Sequence, residues 1–248
     1  GIFPRKNKIA IAAMNFSDLY KKISDIPIGD FPSSALSGLL HGYISVFSMV
    51  RVNPWLEEVY GSQWDIHERI REIAGELADL VNDPSISLEE RVVHVADLLE
   101  TYLMYSDMDF LDIALDAAYG IISPEGGDEI VLPCRTPEMC RLLCSCYYFT
   151  GEERCAELAG EIVNRLKACV LDKSLDDENA LIYLLSMEFY VDIVGEGEDW
   201  KHVISSLKAN VLQLLEKEEI HESLLSQVFY FNVFALHEYM KLGVIESK

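Results

Sequence analysis

The sequence predicts an all-α protein built from antiparallel helical hairpins, as an α/α-solenoid or partial toroid of about nine helices. Three observations carry that expectation. Bulky or apolar residues at Trp64, Phe110, Cys155 and Trp200 recur about 45 residues apart, a spacing within the range of stacked helical repeats. Helix-start signals stand before the apolar periodic stretches, as at Ser87-Leu88-Glu89-Glu90, where a serine hydroxyl and a glutamate can satisfy each other's backbone amides. The connections are short, which favours antiparallel neighbours. One hairpin cannot bury its apolar faces alone, so the pattern demands stacking.

Each element follows from local chemistry. Residues 1–15 read as an N-terminal tail, and 16–248 as a single helical-hairpin domain. Phe16 to Ile26 predicts a short helix, broken by Pro27, Gly29 and Pro32. Leu36 to Val50 is strongly apolar and ends near Asn53-Pro54. Asp65 to Val81 carries Ile66, Ile70, Ile73, Leu77 and Leu80 at helical spacing, and Asn82-Asp83-Pro84 stops it. The helix capped by Ser87 runs to about Tyr105. Its partner starts at Asp107 or Asp109 and ends near Ser123-Pro124.

Glu125 to Pro133 is a loop whose Ile130-Val131-Leu132 is the one place where a strand pair is conceivable. Thr136-Pro137 supplies an N-cap followed by proline at the first helical position. Thr150-Gly151-Glu152-Glu153 combines a chain-reversing glycine with a second T-x-x-E capping pattern. Further helices are expected at Glu152–Val170, Asp177–Val194, Asp199–Glu218 and Glu222–Leu242.

Charge narrows the function classes. The chain has 42 acidic and 20 basic residues, a net charge of −22. That surface repels phosphate backbones and anionic headgroups, so neither nucleic-acid nor membrane-surface binding is expected. No uninterrupted apolar run approaches the roughly 20 residues needed to cross a bilayer, so no membrane insertion is expected either. A protein or peptide partner fits better. Arg5, Lys6 and Lys8 before Ile9-Ala10-Ile11-Ala12-Ala13-Met14 echo a signal peptide, but the apolar stretch is shorter than the usual minimum of about seven residues. The expected location is cytoplasmic.

The six cysteines all fall between Cys134 and Cys169. Most sit in predicted helices among large apolar residues, where a thiol serves as a small polarizable core group. Cys140 and Cys144 share a helix face, yet there is no C-x-x-C, and no metal is expected. H-E-x-x-H, phosphate-cradling glycine loops, an EF-hand ladder and a G-x-S-x-G elbow are all absent from the sequence, and no cofactor is expected.

Two constellations remain as candidates. Glu188 and Asp192 stand at i,i+4 in the otherwise apolar Ala180–Asp192 stretch. If buried, one could act as a general acid. The same spacing also describes a solvated stripe. Tyr102, Tyr105, Tyr147, Tyr148 and Tyr190, with Arg141, could line a ligand groove, since aromatic rings with polar tips suit a peptide or the face of a sugar.

At Tyr147-Tyr148-Phe149-Thr150-Gly151-Glu152-Glu153-Arg154-Cys155-Ala156-Glu157-Leu158-Ala159 the chain resembles two helical-hairpin groups: the α/α-toroid carbohydrate-active proteins (six-hairpin glycosidase-like) and tetratricopeptide-like proteins. The second resemblance implies a non-enzymatic module that binds a peptide or partner protein in a groove. The first implies a carbohydrate-binding or carbohydrate-processing protein. No catalytic residue of that group carries over, and Glu188 and Asp192, singled out by their own spacing, would be the acids of such a protein. The expectation is the binding module, with carbohydrate as the alternative.

Overall fold

The computed structural model describes residues 17–214, apart from residue 19 and residues 106–107, 177–178 and 196–198. The helix expected at Glu222–Leu242 and the tail at 1–15 lie outside the described residues. Among the described residues the fold is all-α, with no strand. The helices are α1 (20–24), α2 (Leu36–Val52), α3 (Glu57–Tyr60), α4 (Gln63–Leu80), α5 (Leu88–Tyr105), α6 (Met108–Ile122), α7 (Pro137–Thr150), α8 (Glu153–Leu171), α9 (Ala180–Val194) and α10 (Asp199–Leu214), with short 3-10 turns before α2 and α3. The helices divide between two compact units, with the boundary inside α4 between Glu76 and Leu77 and the second unit ending at Val211.

In the first unit, three tyrosines and one arginine organise the packing around α1 and α2. Tyr20 Oη donates to the carbonyl of Tyr60 at 2.8 Å, and its ring meets those of Tyr43 and Tyr60 edge-on. Arg69 on α4 reaches the carbonyls of Ile23 and Ile26 at 3.0 and 2.6 Å. A guanidinium at those carbonyls satisfies acceptors that the end of α1 leaves open. Burial pushes the Tyr60 hydroxyl up to about 12.

The second unit rests on capped helices whose ends the sequence specifies. Glu90 N donates to Ser87 Oγ at 3.2 Å, which starts α5. Met139 N donates to Thr136 Oγ1 at 3.2 Å, with Pro137 in the first turn of α7. α7 stops at Gly151, whose φ of +73° is left-handed backbone and whose N–H reaches the carbonyl of Tyr147 at 2.8 Å. Glycine adopts that conformation without the Cβ clash other residues suffer. α8 then buries Cys155, Leu158, Ala159, Ile162, Val163, Leu166 and Val170 along one stripe, the spacing of an amphipathic helix. α5 packs on α6 and α7, α7 on α8 and α9, and α8 on α9. Ser186 Oγ on α9 donates to the carbonyl of Pro137 at 2.7 Å, fastening α9 to the start of α7.

Two local expectations are corrected. Ile130-Val131-Leu132 forms no strand: Val131 N donates to the carbonyl of Ile122 at 2.8 Å, which ties the loop back to α6 instead of to a second strand. Thr150 is not the N-cap of α8. Its hydroxyl donates to the carbonyl of Cys146 at 2.6 Å and accepts from Glu152 N at 3.3 Å, and the N-cap is Glu152, without a side-chain cap. The four spaced markers each fall in the first turn of α4, α6, α8 or α10, but their surroundings differ. Trp64 is 69% exposed, whereas Cys155 is fully buried.

One helix with its preceding turn, Ser33–Val52, is long and apolar enough to cross a membrane by length and composition. More than half of it is buried within the protein, as a core helix would be.

Candidate functional site

The expected tyrosine groove is only partly assembled. Tyr102 on α5 meets Phe149 on α7 with ring centroids 5.3 Å apart, and Phe149 in turn meets Tyr148 at 5.2 Å. Tyr148 is exposed and Tyr147 half-buried. Tyr190 does not join them. It is buried against Trp200 of α10, and its hydroxyl sits 3.1 Å from where a Cβ on Gly160 would lie. The side chain of Tyr105 lies outside the described ones.

Arg141 is no groove residue, a correction with a clear cause. It is buried to 3% exposure between α7 and α5, with Nη1 3.1 Å from Asp97 Oδ1 and 2.6 Å from Glu100 Oε1. Burial alone would pull the guanidinium pKa down, but Glu100 and then Asp97 outweigh it and hold the pKa above the ordinary value. Two carboxylates make the buried cation tolerable.

Glu188 and Asp192 share a face of α9, but that face reaches solvent. Asp192 is exposed. Glu188 is about one-third exposed and pairs with Lys208 Nζ of α10 at 3.2 Å. The burial that would make either a general acid is not found.

The cysteines behave as core groups. All six are free, and Cys140, Cys144, Cys146 and Cys155 are fully buried. Burial pushes the Cys155 thiol up to about 12 and raises that of Cys146 as well. The hydrogen bond with Cys140, together with burial, raises Cys144. Such thiols are protonated and poorly nucleophilic at neutral pH. Beside Cys155, Tyr119 Oη donates to Glu152 Oε2 at 2.8 Å and sits 3.2 Å from Thr150 Oγ1, which locks the α7–α8 turn to α6.

A concave site in the second unit lies elsewhere. α6 buries Ala114, Ala118 and Ile122, and lines a groove with Ile113, Asp116, Ala117, Gly120 and Ile121. α5 contributes Leu88 and Arg91, the turn after α4 Val81 and Asn82, and the loop after α6 Pro124 and Pro133. Its volume is about 530 Å³. The groove exists because α6 carries alanine and glycine where larger side chains would fill it: a Cβ added at Gly120 would meet nothing within 4 Å.

Leu88 and Ile113 stand at the rim, 42% and 40% exposed. Two charges face this apolar lining. Arg91 Nη2 donates to the carbonyl of Asp83 at 3.1 Å, while its Nε is buried without an acceptor among the described residues. Asp116 is exposed. The signal for this site was a second apolar stripe on α6, from Ile113 through Ala117 and Gly120 to Ile121, beside the one that faces the core.

No protein-family model, curated protein or solved structure matches this chain.

Proposed function

We propose that this chain is a non-enzymatic binding module that holds a segment of a partner protein in the groove between α5 and α6. The observation that carries this reading is the groove itself, about 530 Å³ of apolar-lined space kept open by Ala117 and Gly120. Exposed Leu88 and Ile113 at the rim would leave water when an apolar side chain of the partner enters, and contiguous exposed apolar surface favours such partners. Arg91 and Asp116 supply opposite charges that can fix the direction of a bound segment.

Selection of a displayed random-peptide library on the folded protein tests the reading, with Gly120→Leu as the control. Leucine at 120 fills the groove without strain, because position 120 has ordinary helical backbone and free space. Peptides selected on the wild type should bind Gly120→Leu at least about tenfold more weakly, the loss of one well-placed apolar contact. Equal binding to both proteins would overturn the assignment.

A further inference from the structure

Among its described residues the first unit carries a run of exposed large apolar side chains. Pro54–Leu56 forms a 3-10 turn that runs into α3. Within this short stretch Leu56 and Tyr60 stand at i,i+4 and are buried. Trp55 and Val59 form the adjacent i,i+4 stripe, each 39% exposed. Val52, at the end of α2, is 74% exposed, and Trp64, in the first turn of α4, is 69% exposed. The four fall within residues 52–64, on elements that adjoin. α2 packs on both the 3-10 turn and α3, and Gln63 Nε2 donates to Glu57 Oε1 at 3.0 Å, which holds the start of α4 beside α3.

Single exposed apolar residues need no explanation, but two tryptophans and two valines exposed on adjoining elements within so short a stretch do. Indole rings are among the side chains that carry most binding energy at interfaces. The charges around the patch decide what would cover it. Glu57, Glu58 and Asp65 accompany it, against the single guanidinium of Arg51 within residues 51–65. The whole chain bears −22. A second copy would bring like charges together, and an anionic lipid surface would be repelled.

We propose that Val52, Trp55, Val59 and Trp64 form a docking surface for an amphipathic helical segment of a partner protein, apolar on one side and flanked by lysine or arginine. This surface is distinct from the α5–α6 groove, and neither proposal depends on the other.

Calorimetric titration with a designed Leu/Lys amphipathic helical peptide, and with its Leu/Glu counterpart, tests it. The Leu/Lys peptide should bind and shift tryptophan emission to the blue, because Trp55 and Trp64 leave water. The Leu/Glu peptide should not bind. Trp64→Ser should weaken binding about tenfold or more with an unchanged circular dichroism spectrum, Trp55 remaining as reporter. Glu58→Lys, an exposed position with the apolar patch intact, should weaken the Leu/Lys peptide and strengthen the Leu/Glu one.

Equal affinity for the two peptides, no binding of the Leu/Lys peptide, or indifference to Trp64→Ser would overturn the proposal. So would a blue shift on phosphatidylcholine vesicles alone, which points to a membrane surface. A concentration-dependent dimer abolished by Trp64→Ser would likewise replace the partner with a second copy.

Discussion

Arg141 illustrates what a single residue contributes and what sequence alone could tell of it. Its place on α7 was legible from the helical pattern, but its direction was not, because direction depends on Asp97 and Glu100 some forty residues earlier. Removing the cation leaves two carboxylates in a buried site. Arg141→Met should therefore destabilise the protein by about 3–5 kcal/mol, read as a lower urea midpoint. Arg141→Lys should recover only part of that, since an ammonium lacks the guanidinium's planar fork. The raised pKa values of Cys155 and Tyr60 make a second residue-scale prediction. Their ordinary values are 9.0 and 10.0, and both reach about 12 in the fold. Between those limits the folded chain keeps protons that the unfolded chain releases. Stability is then fully present below about pH 9 and declines as pH rises toward 12, measurable by urea unfolding across that range.

At the scale of the element, helix ends were the most legible feature, because caps and stops are local chemistry. Ser87, Thr136 and Gly151 act as expected: Thr136→Ala should cost about 1 kcal/mol, and Gly151→Ala about 1–2 kcal/mol for the left-handed turn, both seen as lower thermal midpoints. Thr150 misleads for an equally local reason, since its hydroxyl donates back to Cys146 within its own helix. α9 misleads for a tertiary one. It is apolar nearly all round because α7, α8 and α10 surround it, and Glu188 and Asp192 mark the strip left to solvent. The α5–α6 groove was legible only as the second apolar stripe on α6, because a groove consists of a neighbour that the helix lacks, and no local pattern states that. Gly120 is nonetheless a helical position with open space, so Gly120→Ala should stabilise the fold by about 1 kcal/mol, a gain that thermal unfolding would register.

At the scale of the whole molecule, helical architecture was readable while the placement of helices was not. The second helices α4, α6, α8 and α10 begin at even intervals, at Gln63, Met108, Glu153 and Asp199, but α5, α7 and α9 begin unevenly, at Leu88, Pro137 and Ala180. The long loop from Ile122 to Pro137 absorbs the difference. A net charge of −22 places many carboxylates on one chain, whose repulsion added salt screens. The thermal midpoint should accordingly rise between low salt and physiological salt. The free cysteines add one consequence of a different kind. All six lie in the second unit, and four of them are sealed in its core, where native packing keeps those four from oxidants. Once melted, that stretch exposes six thiols close together in sequence, free to pair at random as it oxidises. Heating is then reversible only in the presence of a reductant; without one, the first melt erases the chain's ability to return.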